Sequence, residues 1–205
     1  MRYRYFESKI KHLPVFNLND VRKIDPGFHR PQLNDWQKRG YIKPLAGGYY
    51  ALADTDIDEM FLFMLANKLY EPSYVSLESA LAYYQIIPET VLGVTNVSSR
   101  KTKQFESAWG VFAYRTVKPG YMIGYRVVET SPRLKFKIAC LEKAVLDYLY
   151  LNSEIQSIAD FEGLRWNKDQ LQTLLDRSVF SVYVNIFNKR ALEKRVNQFM
   201  EYLDA

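Results

Sequence analysis

PQLNDWQKRGYIKPLAGGYYAL, residues 31–52, reads as a short helix followed by a hairpin. Pro31 has the fixed φ and the missing N–H that suit a first helical position, and Gly40 supplies the stop after Arg39. Leu33 and Trp36 share one side of this helix. At about 100° per residue they leave Arg30, Asn34, Asp35 and Lys38 on the far side, a set able to hydrogen-bond base edges or phosphates. Asp35 is the odd member, since it repels phosphate, although a carboxylate can accept from a cytosine amino group. Tyr41 to Pro44 and Tyr49 to Leu52 then read as two short strands joined at Gly47-Gly48.

Two more helices precede this stretch. Phe6, Ile10 and Leu13 recur at i, i+4, i+7 and predict an amphipathic helix ended by Pro14. Asn17 is placed to cap a second, with Asp20 three residues on and Leu18, Val21 and Ile24 as its buried stripe, before the turn Asp25-Pro26-Gly27. Three short helices and a hairpin predict a winged helix-turn-helix. In that arrangement the third helix lies in the major groove, while the wing, with Lys43, Gly47 and Gly48, reaches the DNA backbone or minor groove. The competing expectation is a small unit of the same shape used for protein contacts.

Charge divides the 205 residues unevenly. Met1–Ala53 holds ten Lys/Arg against four Asp/Glu, Asp54–Val97 one against seven, Ser98–Lys137 nine against two, and Ile138–Ala205 eight against ten. Two basic blocks around an acidic joint suggest one or two surfaces that face a polyanion. The longest unbroken apolar run, Met60–Ala66, has seven residues. That is far short of the roughly 18 needed to cross a bilayer, and the N-terminus shows no apolar signal core, so the expectation is a cytosolic protein with no membrane partner. One cysteine, Cys140, excludes an intrachain disulfide, and His12 and His29 cannot make a metal site alone. No cofactor or metal is expected.

Downstream of Ala53 an acidic first turn leads into MFLFMLANKLY, apolar nearly all round and therefore a buried joint between modules. Ser76 is placed to cap a helix LESALAYY. From Val91 to Ala139 the stretches VLGVTNV, QFESAWG, VFAYRTV, YMIGYRVVE and LKFKIA predict about five strands in a small, mostly antiparallel sheet. Leu141, Ala144, Val145, Tyr148 and Leu149 mark a buried helix, and two or three more helices follow Lys168. The expected fold class is α+β, with a winged helix-turn-helix over 1–53 and an α+β domain over 54–205.

Within the second basic block, alternation puts Lys101 and Lys103 on one face and Arg133, Lys135 and Lys137 on one face, with Leu134, Phe136 and Ile138 turned to the core. Together with Arg100, Arg115 and Lys118 they predict a broad positive surface whose partner is DNA backbone, a protein or solvent. A metal-dependent nuclease built on Glu106, Glu129 and Lys135 fits poorly, because such sites converge two or more carboxylates on a metal and this block holds only two acids. Ser76 and Ser79 have no base visible in the sequence. No enzyme is expected.

Three stretches resemble the abortive-infection type IV antitoxin family, AbiEi. They are residues 32–52, the segment containing Ser76-Leu77-Glu78-Ser79, Phe105-Glu106, Tyr114-Arg115 and Lys118-Pro119, and a helix with Glu142-Lys143-Ala144. Where the family commonly has Thr-Pro before that last motif, this chain has Cys140-Leu141. The resemblance implies a transcriptional repressor that binds repeated sites in its own promoter, and a C-terminal module needed to neutralise a nucleotidyltransferase-like toxin. A free-standing winged-helix regulator with a signal- or protein-binding C-terminal domain is the alternative.

Overall fold

The computed structural model describes residues 1–88, 93–132 and 134–205. Helix α1 (Tyr3–Ile10) buries Phe6 and Ile10, with the Phe6 ring stacked on Trp36 at 4.8 Å and edge-on to Phe16 at 5.1 Å. It ends at Ile10, ahead of Pro14, because Leu13 N–H closes a tight turn on the Ile10 carbonyl. Strand β1 (Phe16–Asn17) follows, too short for any alternation to announce it.

Asn17 caps α2 (Leu18–Ile24) in a full capping box with Asp20, each side chain accepting from the other's backbone N–H. Helix α3 (Pro31–Lys38) buries Leu33 and Trp36, and Gly40, at φ +70°, turns the chain into β2 (Ile42–Pro44) and β3 (Tyr49–Leu52). The three strands form an antiparallel sheet in the order β1-β3-β2, with Phe16 opposite Tyr50 and Ile42 opposite Leu52. Phe6, Ile10, Phe16, Val21, Leu33 and Trp36 belong to a buried cluster drawn wholly from residues 6–52. Full burial of such side chains contributes about 1.5–3 kcal/mol each.

A second, larger cluster organises the rest. Asp58 caps α4 (Glu59–Leu69), its carboxylate accepting from Phe61 N–H at 2.7 Å. Then come β4 (Ser73–Val75), α5 (Leu77–Tyr83), β5 (Gly93–Ser98), β6 (Lys103–Ser107), β7 (Gly110–Thr116), β8 (Tyr125–Ser131) and β9 (Leu134–Ala139). Helices α6 (Leu141–Leu151), α7 (Ile158–Gly163), α8 (Lys168–Leu174), α9 (Arg177–Phe187) and α10 (Arg190–Asp204) complete the chain. Val91 and Leu92, which open the first expected strand, lie outside the described residues.

The larger sheet has the order β6-β7-β5-β4-β9-β8 and is mixed rather than mostly antiparallel. Two features of the chain cause this. Hairpin β6–β7 folds back so that β7, not β6, lies beside β5, which makes β5 and β7 parallel. The three-residue β4, hidden from sequence patterning by its length, inserts between β5 and β9 and runs parallel to β9. One face of the sheet meets α4, through the Tyr114 hydroxyl on the Ala66 carbonyl and the Phe136 ring against Phe63. The other face meets α5 and α6, with α9 and α10 packed behind α6.

The two clusters join at the β2–β3 turn. Val15, Ala46 and Ala51 belong to the larger cluster, and a Cβ on Gly47 would lie 2.7 Å from Leu69 Cδ2. Trp109 Nε1–H donates to the Pro44 carbonyl at 3.2 Å. Among the described residues no helix is long and apolar enough to cross a membrane.

Candidate nucleic-acid interface

Leu33 and Trp36 pin α3 to the core and leave Asn34, Asp35, Gln37, Lys38 and Arg39 exposed, with Arg30 exposed just ahead of the helix. At about 100° per residue, Lys38 stands opposite the buried pair, with Asn34 and Asp35 about 50° to either side of the outermost line. Arg30 and Gln37 occupy one shoulder, and Gln32, Asp35 and Arg39 the other. Asp35 is thus set on the Arg39 side of Lys38, as Asn34 is on the Arg30 side.

A groove lies on each side of α3, the first only at the start of the helix, beside Arg30 and Leu33. The first, about 390 Å³, is lined by Asn17, Asn19, Arg30, Gly47, Gly48 and Tyr50, so the structure brings Arg30, Gly47 and Gly48 together. The second, about 590 Å³, lies between α1 and α3 and is lined by Arg2, Arg4, Gln32, Asp35, Arg39 and Tyr41, with Glu7 alongside. Glu7 accepts from the Tyr3 hydroxyl at 3.1 Å, and the Tyr3 ring stacks on Tyr41 with centroids 4.4 Å apart. Arg2, Arg4 and Arg39 were not singled out for this surface by the sequence, because only the fold carries the start of α1 to the far shoulder of α3.

The hairpin departs from a projecting wing. Ala46 is buried and Gly47 rests against Leu69 and Phe105, so the tip of the turn is docked on the second unit. Lys43 is turned inward as well, its Nζ donating to the Thr55 carbonyl at 2.8 Å. Gly48, at φ +80°, faces open space and leaves its backbone approachable.

The second basic block does not form one surface. Cross-strand partners share a face, and Lys103 lies opposite Tyr114, Tyr114 opposite Asn96, Asn96 opposite Val75 and Val75 opposite Ile138. Lys103 therefore shares the α4 face with Ile138, whereas Lys135 and Lys137, odd-numbered steps from Ile138, point to the other face. Phe136 and Ile138 are buried as the alternation predicts.

Several of these cations already have partners. The Arg100 guanidinium lies 4.2 Å over the Tyr70 ring and donates to the Glu71 carbonyl at 3.0 Å, while Lys101 is exposed and offers its carbonyl to the Tyr70 hydroxyl. Lys103 Nζ sits 4.5 Å over Phe105, and Lys118 is exposed 6.0 Å from the Tyr121 ring. Lys135 pairs with Glu129 at 2.8 Å. Arg115 is half-buried and holds the end of α6, donating to the Asn152 side chain and to the Leu151 carbonyl. Arg133 lies outside the described residues.

Ser76 also differs from its expected role. It occupies the N-cap position of α5, but its hydroxyl donates to Asp147 at 2.9 Å instead of serving the helix. Ser79 accepts from Thr95 N–H at 2.9 Å. Comparison of the chain with protein-family models and with curated proteins finds no match.

Proposed function

We propose that residues 1–53 are a winged helix-turn-helix that binds duplex DNA. On this reading the chain is a transcriptional repressor and antitoxin of a type IV toxin–antitoxin system, acting at repeated sites in its own promoter. The observation that carries the DNA half is the element order α1-β1-α2-α3-β2-β3, with sheet order β1-β3-β2 and an α3 whose outer face is uncovered. A helix with Lys38 outermost and Asn34 exposed beside it suits the major groove, where an amide reads a base edge and an ammonium meets phosphate.

Support for the antitoxin half is the resemblance alone. In that role residues 54–205 neutralise a nucleotidyltransferase-like toxin. The free-standing regulator remains the second reading, and Val182 and Ile186 favour a protein-binding role in either case. They stand 56% and 46% exposed one turn apart on α9.

Binding of the full-length chain to a duplex from upstream of its own reading frame tests the first half. Lys38→Ala is expected to lower the slope of log K against log salt by about 0.9, and Asn34→Ala to relax base preference by about 1–3 kcal/mol. Equal affinity and an equal salt slope for wild type and variants would remove α3 from the interface. Co-expression with the neighbouring gene tests the second half, since restored growth is expected only if that gene encodes a toxin this chain counteracts.

A further inference from the structure

Helix α3 is a ridge with a groove on each shoulder, and each groove carries arginine. A helix with its side chains is about 10–12 Å across, and the major groove of B-DNA is about 12 Å wide. A helix seated there has one sugar–phosphate strand against each shoulder. Resting on the DNA reading above, we infer that the two grooves hold the two strands of one duplex. Arg39 with Arg2 and Arg4 grips one backbone, and Arg30 beside Asn17, Asn19 and Gly48 grips the other.

This arrangement differs from a wing that reaches past the helix to the minor groove. The turn at residues 46–47 is held against Leu69 and Phe105, so the hairpin contributes the floor of the Arg30 groove, where Gly48 has no side chain to keep a strand away. The start of α1 takes over the second grip. Guanidinium groups suit the task, since each presents a fork of N–H donors that matches phosphate oxygens.

Two carboxylates line the Arg39 groove. Glu7 is engaged by the Tyr3 hydroxyl. Asp35 stands on the same shoulder as Arg39, so it faces the same strand and weakens the grip by repulsion. Its effect is then independent of sequence, unlike that of a carboxylate that accepts from cytosine in the groove.

The test uses the full-length chain, a short duplex from upstream of its reading frame and a scrambled duplex. Uncharged methylphosphonate linkages are placed in one strand or the other. With Arg2→Gln, Arg4→Gln and Arg39→Gln combined, the salt slope is expected to shrink by about two to three units, and with Arg30→Gln by about one, at about 0.9 per lost phosphate contact. The penalty for methylphosphonates in one strand should vanish only in the triple variant, and in the other strand only in Arg30→Gln.

Asp35→Asn should tighten binding several-fold on both duplexes, a gain that no misfolded variant can produce. The assignment is overturned, with DNA binding left standing, by an unchanged slope in the triple variant. Loss of sensitivity to the same strand in both variants, or weakening of the upstream duplex alone by Asp35→Asn, has the same force. Absence of salt-dependent binding of wild type to either duplex overturns the DNA reading itself.

Discussion

Lys143 and Asp147 stand one turn apart on α6 with no side-chain exposure. The ammonium donates to Asp147 and, at 2.8 Å, to the Tyr74 hydroxyl. The Tyr74 and Ser76 hydroxyls each donate at 2.9 Å to the other carboxylate oxygen. Burial pulls the Lys143 pKa down and pushes that of Tyr74 up, and the Asp147 charge works against the first shift and with the second. Removing two ions from water costs several kcal/mol, and mutual attraction offsets this only with further hydrogen bonds, which the Tyr74 and Ser76 hydroxyls supply to the carboxylate here. Lys143→Met is therefore expected to destabilise the chain by about 3–5 kcal/mol, because it strands a buried carboxylate. Adding Asp147→Leu should recover part of the loss in chemical denaturation, since it removes the stranded charge but leaves the Tyr74 and Ser76 hydroxyls without their acceptor. If the double variant is no more stable than the single one, the cost lies in packing and in those two hydroxyls and not in the stranded charge.

At the scale of elements, the end of α6 is held by two guanidinium groups from distant parts of the chain. Arg115 on β7 donates to the Leu151 carbonyl and the Asn152 side chain, and Arg195 on α10 donates to the Leu149 and Ser153 carbonyls. Cations there meet the free carbonyls and the negative end of the helix dipole. Arg115→Gln is thus expected to lower stability by about 1.5–3 kcal/mol, the range for hydrogen bonds to charged groups, and to leave the salt slope of DNA binding unchanged. A smaller slope with unchanged stability would return Arg115 to the surface where its charge and sequence neighbourhood first put it. Local patterns made α2, α3, the hairpin and α6 legible, since a capping pair, Pro31, Gly40 and the stripe Leu141-Ala144-Val145 each act within a few residues. The pairing of β5 with β7 and the opposite facing of Lys103 and Lys135 were not legible, because both depend on strand order. The site divides in the same way: Arg30, Asn34 and Lys38 follow from the period of one helix, whereas Arg2, Arg4 and Arg39 converge only when α1 packs across α3.

The whole molecule depends on a seam narrower than either unit. Residues 6–52 have their own buried cluster, yet Val15, Ala46 and Ala51 belong to the larger one, and the β2–β3 turn sits on Leu69 and Phe105 with Trp109 bonded to Pro44. A turn whose tip lies in the larger core while its strands give Ile42 and Leu52 to the smaller one couples their unfolding. Calorimetry of the full chain is accordingly expected to show one transition. Gly47→Ala strikes the seam at a residue held at φ +61°, where a Cβ costs on the order of 1 kcal/mol in backbone strain and crowds Leu69 at 2.7 Å. Combined with Trp109→Phe, which removes the bond to Pro44, it should split the transition in two while both clusters keep their own packing. The unit with the smaller core, residues 1–53, should then melt first. Two transitions already present in the wild-type chain would mean that the turn merely touches the second unit, and DNA contacts at α3 would then have no structural route to residues 54–205.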